Sequence, residues 1–271
     1  METQTWRRTL VPYELAVQEL EVKFEHMIKQ YQQAGKYSPI EQVHGRVKKI
    51  ASILEKARRK GIPDDRITEE IDDIAGIRLI CQFTDDIEQV VEIIRNRSDM
   101  TVINEIDYIH EPKDSGYRSY HVNISYEVET IYGNIKIPVE IQIRTLAMNF
   151  WATIEHSLKY KYNGEMPADI TRRLLASAKA VQALDGEMSS IRDVVVDAQQ
   201  LFREKAAVVA DIHNNLANLS QQFVGSEDAI RNIRDEFEQI YRHGTFDELL
   251  EFSQRLDKLT EARKIQSLPN I

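Results

Sequence analysis

The sequence predicts an α+β fold in which a mixed β-sheet is flanked by helices and followed by a long C-terminal helical extension. Three observations carry that reading. Residues 73–83, DIAGIRLICQF, form a nearly continuous apolar run, as expected of a strand covered on both faces. Residues 101–109, 119–129 and 134–144 are β-rich, with Gly133-Asn134 as a hairpin turn between the last two. Before and after them, apolar residues recur at three- and four-residue steps, the spacing of helices that bury one face.

The first helix is expected over 13–33, where Leu15, Val17, Leu20, Phe24, Met27, Ile28 and Tyr31 keep that spacing and Pro12 stands at the start. Gly35 and Ser38-Pro39 break it. A second helix is expected from about 40 to 60 on Val43, Val47, Ile50, Leu54 and Ala57, ended by Gly61-Ile62-Pro63. Helical spacing returns at 86–97 and again at 146–162, interrupted by Asn163-Gly164 and Pro167. Residues 168–263 read as helices broken near Gly225 and Gly244, with Leu201, Val208, Ile212, Leu216, Leu219 and Phe223 making a coiled coil or folding back onto the core. The expected organisation is an N-terminal helix at 1–38, a compact domain at 39–163 and a helical region at 164–271 that serves assembly.

Composition narrows the function class. The 271 residues are 42% hydrophobic and 29% charged, which argues against a disordered or fibrous chain. No window approaches the ~18 uncharged apolar residues of a membrane span. Glu14, Glu19, Glu21 and Lys23 follow Arg7-Arg8 where an export signal needs an apolar stretch. The single Cys81 excludes an intrachain disulfide and a multi-cysteine metal site, so a reducing cytoplasm is the expected compartment. The net charge of −9 hides an asymmetry: Arg46, Lys48, Lys49, Lys56, Arg58, Arg59 and Lys60 are opposed only by Glu55. A concentrated cationic segment in an acidic chain suggests a local anion site more than a general nucleic-acid surface, and no DNA partner is expected.

Four constellations carry chemistry, each with a plain structural alternative. The basic segment gathers cations suited to multivalent phosphate, or simply solvates one face of a helix. Asp73 and Arg78 flank one strand, where a carboxylate can meet Mg²⁺ and phosphate oxygens, or where the two form a structural ion pair. In residues 110–121, HEPKDSGYRSYH, a turn carries Lys113, Tyr117 and Arg118, with His121 on the next strand: an aromatic platform for a base with cations for its phosphates, or an ordinary polar loop. In VEIQIRT, Glu140, Gln142 and Arg144 share one face of a strand, and the next helix places Asn149, Ala152 and Glu155 at helical spacing, with Trp151, Ile154 and Leu158 supplying apolar contacts. Asn149 or Glu155 would read a purine edge; a half-solvated strand and a core-facing helix account for the same pattern. Together the four describe phosphoryl-type transfer between two nucleotides.

Over GRVKKIASILEKARRK, DIAGIRLICQF, DYIHEPKDSGYRSYH and VEIQIRTLAMNFWATIEHSLKYKY, residues 39–163 resemble the synthetase domain of the RelA/SpoT superfamily, most closely the stand-alone small alarmone synthetases (GTP pyrophosphokinases) of the RelQ type. The resemblance implies a fold related to nucleotidyltransferases and transfer of the β,γ-pyrophosphate of ATP to the 3′-hydroxyl of GTP or GDP, yielding pppGpp or ppGpp and AMP with Mg²⁺. It implies that Arg46 and Arg78 sandwich the adenine and that Lys48, Lys56 and Arg59 hold the ATP phosphates. Asp73 would bind Mg²⁺ with Glu140 beside it, and Glu140 would activate the 3′-hydroxyl. Tyr117 would stack on guanine, Asn149 would contact its edge with Glu155 nearby, and Lys113, His121, Gln142 and Arg144 would line the acceptor side.

The chain has no His-Asp dipeptide, and only about 45 residues precede the motifs, so the hydrolase domain of long bifunctional relatives is not expected. RelQ-type enzymes form tetramers, and a homo-oligomer is expected by resemblance. Some are activated by alarmone held by cations of the first helix; Glu21, Glu25 and Gln42 depart from that pattern, so weak or absent activation is expected. An RNA-binding regulator using the basic segment and Tyr117 is the alternative from another class. It has no use for two carboxylates, Asp73 and Glu140, facing a phosphate site. A third reading is a nucleotidyltransferase that releases pyrophosphate.

Overall fold

The computed structural model describes residues 3–162, 166–222 and 227–266. Five strands form one sheet in the order β1-β2-β5-β4-β3, where β1 is Gln42–Val47, β2 Ala75–Cys81, β3 Met100–Asp107, β4 Tyr120–Thr130 and β5 Gly133–Thr145. β2 and β5 pair in parallel and the other neighbours antiparallel, the mixed sheet that the sequence predicts.

One face of the sheet is apolar. Ile77 and Leu79, Val122 and Ile124, and Val139, Ile141 and Ile143 are buried there with the stripe Trp6, Leu10, Tyr13, Val17, Leu20 and Phe24 of α1 (Thr3–Gln33). Ile87, Val90, Val91 and Ile94 of α4 (Thr84–Arg95) join the same core. Fully burying each large side chain stabilises by about 1.5–3 kcal/mol, so tertiary packing holds these helices more than their own propensity does.

Several expected boundaries move. α1 begins at Thr3, with Pro12 inside it. The helix expected over 40–60 is instead the strand β1 followed by α2 (Ile50–Lys60). The misreading has a physical source: Val43 and Val47 are four apart, a separation that shares a face on a helix and on a strand alike. Gly45 decides between them. Its N–H donates to Glu21 Oε1 of α1 at 2.5 Å, and a Cβ there would collide with Val17 and Glu21. Asp73 lies before β2, after a 3₁₀ turn at Asp64–Arg66 and the short α3 (Ile67–Glu70), neither of which is expected from the sequence. In the β4–β5 hairpin Thr130 pairs with Gly133, so Ile131-Tyr132 form the loop and Gly133 takes the positive φ of 101° that follows it.

By contacts the chain divides into Met1–Ser190 and Ile191–Ile271, with α6 (Ala168–Gln222) contributing to both. The boundaries expected at 38 and 163 mark changes of sequence pattern; α1 and the start of α6 belong to the first unit. In the second unit Ile212, Leu216 and Leu219 of α6 form a separate core with Phe237 of α7 (Glu227–His243) and with Leu249, Phe252 and Leu256 of α8 (Phe246–Gln266). Gly244 separates α7 from α8 as expected. Leu201 is exposed, while Asn163-Gly164, Phe223 and Gly225 lie outside the described residues.

Gly45→Ala is expected to lower the melting temperature through the ~1–3 kcal/mol cost typical of over-packing. Gly186→Ala, in mid-α6 with nothing within 4 Å of an added Cβ, serves as the control and should be neutral or stabilising. Equal melting of the two variants would contradict the close α1–β1 contact.

Candidate active site

The polar face of the sheet is organised in rows by the strand register. His44, Arg78, Gln142, His121 and Ile106 pair across β1, β2, β5, β4 and β3. The next row holds Arg46, Gly76, Glu140, Asn123 and Asn104. Above these rows lies a cleft of about 770 Å³, closed at its sides by α2, the 108–119 loop and α5 (Leu146–Tyr162).

Of the fourteen residues singled out from the sequence, twelve line this cleft: Arg46, Lys56, Arg59, Asp73, Arg78, Lys113, Tyr117, His121, Glu140, Gln142, Arg144 and Glu155. Lys48 stands behind Asp73, bonded to its Oδ2 at 2.6 Å, while Lys56 Nζ meets Oδ1 at 2.8 Å. Asn149 is outside the lining, and its Oδ1 is buried without a hydrogen-bond partner. Ile154 and Leu158, expected as apolar contacts, are exposed; Trp151 alone of that trio is buried, with Ala178 of α6.

Five side chains close a ring of hydrogen bonds. Glu140 Oε1 lies 2.9 Å from His121 Nδ1, and His121 Nε2 lies 2.8 Å from the Tyr117 hydroxyl. Arg144 Nη2 donates to Tyr117 at 2.5 Å and to Gln142 Oε1 at 2.8 Å, and Gln142 Nε2 donates to Glu140 Oε2 at 2.7 Å. With a proton on Nδ1 the His121 ring donates to Glu140, and Nε2 faces the Tyr117 hydroxyl.

The electrostatics follow from this geometry. Burial pushes the Glu140 carboxyl up, but hydrogen bonds from His121 and Gln142 outweigh it and hold the group below the ordinary glutamate range. Burial likewise pushes Asp73 up, and Lys48 and Lys56 bring it below its ordinary value. Arg78 falls to about 10 through burial first and then the nearby Arg144 and Arg46, and its Nε has no hydrogen-bond partner. The Asp73–Arg78 ion pair that the sequence allowed is therefore not formed: the aspartate is taken by two lysines, and the arginine faces other arginines.

Sequence reasoning passed over Tyr108, Ser115, Thr153, His156 and Lys159, which also line the cleft. Tyr108 packs edge-on against Tyr117 and His121, and Lys113 Nζ sits 4.3 Å from its ring centroid and 4.9 Å from that of Tyr117. Its signal was its place at the head of the DYIHEPKDSGYRSYH motif. Lys159 pairs with Glu155 one turn away on α5.

Asp73 and Glu140 line the cleft together, and the charge of Asp73 is felt at Glu140. Among the described residues no group of three or more His, Cys, Asp or Glu stands ready to enclose a metal ion. Two carboxylates beside a phosphate-sized cationic space suit Mg²⁺, which takes one or two carboxylates and fills its other positions with water and substrate phosphates.

Residues 45–165 match the model described as "Region found in RelA / SpoT proteins". The chain is 53% identical over 205 residues to the GTP pyrophosphokinase YjbM of Bacillus subtilis, covering 76% of this chain and 97% of that protein. The small alarmone synthetase 1 of Bacillus subtilis bound to its product pppGpp superposes with a TM-score of 0.69 at 54% identity, covering 71% of this chain and 98% of that one. The same enzyme bound to AMPCPP gives 0.64 at 49% identity, covering 72% and 99%.

Arg46, Lys56, Arg59, Arg78, Lys113, Arg144 and Lys159 face only Asp73, Glu140 and Glu155 in the cleft. Inorganic tripolyphosphate is therefore expected to raise the melting temperature at low ionic strength. The gain should fade near about 0.5 M salt, where screening shortens to a few Å. An unchanged melting temperature at low salt would mean that these cations are already satisfied.

Proposed function

Because this chain belongs to the RelA/SpoT family and is a GTP pyrophosphokinase, we propose that its cleft carries the β,γ-pyrophosphate of ATP to the 3′-hydroxyl of GTP or GDP, giving pppGpp or ppGpp and AMP. The observation that carries the reading is the pair of ionised carboxylates, Asp73 and Glu140, set in one cleft among cations from β1, α2, β2, the 108–119 loop and β5. An RNA-binding surface gains nothing from them.

The donor half is the β1–β2 side. Arg46 and Arg78, diagonal neighbours on adjacent strands, present two guanidinium planes for the adenine, and Lys48, Lys56 and Arg59 hold the phosphates. The acceptor half is the β5–β4 side with the loop. Tyr117 stacks on guanine, Lys113, His121, Gln142 and Arg144 line the ribose and phosphates, and Glu155 of α5 faces the purine edge; Asn149, outside the lining, is left out of that contact. Glu140 accepts the proton of the 3′-hydroxyl as its oxygen bonds to the β-phosphorus, and the bond from that phosphorus to the α,β-bridging oxygen breaks to release AMP. His121 and Gln142 hold the carboxylate ionised and aimed for this step. Asp73 and Glu140 would hold Mg²⁺, which when bound neutralises charge on the transferring phosphates.

Assembly into a homo-oligomer, tetrameric by resemblance, is supported by the exposed apolar stripe Leu184, Met188, Ile191, Val195 and Phe202 of α6. A cytoplasmic location is supported by the nucleotide substrates and the free, buried Cys81. No described helix is long and apolar enough to cross a membrane.

ATP labelled at the γ-phosphate, mixed with GTP and Mg²⁺, should yield labelled pentaphosphate and unlabelled AMP; release of pyrophosphate would instead mark a nucleotidyltransferase. In Glu140→Gln, turnover should fall by ~10²–10⁴ while nucleotide binding and the melting temperature stay close to the unsubstituted protein. Near-normal turnover at saturating nucleotide would move the general base elsewhere, with Glu155 next in line. Every residue lining the cleft precedes Lys161, so truncation after Lys205 should leave per-subunit activity within a few-fold while changing the oligomer. A soluble, folded truncation without synthesis would bring the C-terminal region into the site.

A further inference from the structure

We propose that Asp185 of α6 is a positioning residue for the acceptor nucleotide, holding the start of α5 and the 108–119 loop in register from behind the cleft. The proposal rests on reading that wall as the acceptor side. Asp185 is buried, and its Oδ2 accepts the Thr145 hydroxyl at 2.9 Å. The Thr145 oxygen in turn accepts the Met148 N–H at 3.0 Å, capping the first turn of α5. Thr145 directly follows Arg144 of the hydrogen-bond ring, and Asn149 directly follows Met148.

Asp185 also lies within electrostatic reach of a guanidinium. The Arg118 guanidinium feels Asp185 more than its second anion, Asp107. Arg118 also donates from Nε and Nη2 to the Ile109 carbonyl at 3.2 and 3.1 Å, tying together the two ends of the loop that carries Lys113 and Tyr117. Burial pushes the Asp185 carboxyl up, with Thr145 and Arg118 opposing it.

α6 grips the same loop a second time. Gly116 has φ +85°, and a Cβ there would stand 2.5 Å from Ala178 and 3.2 Å from Leu175. Tyr117 packs with Trp151 and Ala178. A buried carboxylate is costly to retain, and what it adds here is a fixed orientation of the capping hydroxyl at the start of α5. Asp185 is absent from the cleft lining, so it acts through Thr145 and Arg118.

Initial rates of the full chain, with GTP varied at saturating ATP and the reverse, test the proposal. Asp185→Ala should raise KM for GTP about five- to ten-fold, the worth of roughly one buried hydrogen bond, with KM for ATP unchanged within about two-fold. Asp185→Asn still accepts from Thr145 but offers no charge to Arg118, so it should fall between; it decides alone if the alanine variant does not fold. A lowered melting temperature with both KM values raised equally, or with neither raised, would overturn the proposal and leave Asp185 a packing residue. Tyr117→Ala separates the two layers of inference. If it raises KM for GTP and the Asp185 variants do not, only the positioning role falls. If it leaves KM for GTP unmoved, the acceptor assignment of that wall falls and takes this role with it.

Discussion

A buried guanidinium governs the architecture of the cleft. Arg144 is 5% exposed on the polar face of the central sheet, where an unpartnered charge costs several kcal/mol. Its solution is geometric: Nε donates to Ser119, and Nη2 to both Tyr117 and Gln142. Those bonds propagate. Gln142 and His121 then converge on Glu140, and the hydroxyl of Tyr117 is pinned while its ring face is held at 5.0 Å from the Arg144 guanidinium carbon. Glu140 and Tyr117, to which the proposed reaction gives the proton and the base, are thus fixed by one network.

The opposite half of the cleft is held by frustration as much as by bonds. Arg46 and Arg78 face one another and Arg144 across the strands, and the Nε of Arg78 has no hydrogen-bond partner. Asp73, which lines the same space, is already shared by two lysines. A planar base between the guanidinium groups and phosphates beside the lysines would relieve that repulsion.

The fold was legible wherever one period dominated. The run at 73–83, the alternating VEIQIRT and the α1 stripe each admit one reading. The 40–60 segment failed because a four-residue spacing serves helix and strand equally, and only the contact of Gly45 with Glu21 resolves it. That contact also gives Glu21 a structural duty that its charge alone does not suggest. Site chemistry was legible as an inventory: twelve residues reach one cleft. Their pairing was not, because it depends on register. Nothing in the sequence says that Asp73 turns to Lys48 and Lys56 instead of Arg78, or that Asp185, some forty residues after Thr145, closes behind α5.

Between Arg46 and Glu140 the sheet carries Gly76, and the floor of the cleft there is bare backbone. Packing does not demand it: a methyl group at that position would sit 3.8 Å from the Glu140 carbonyl oxygen and 3.9 Å from the Arg46 side chain, ordinary contact distances. On the proposed placement of the two nucleotides, a single inhibitor joining an adenosine-like head to a guanosine-like one would run its linker over this glycine, and one added carbon there would confer resistance to such a compound without loss of the fold.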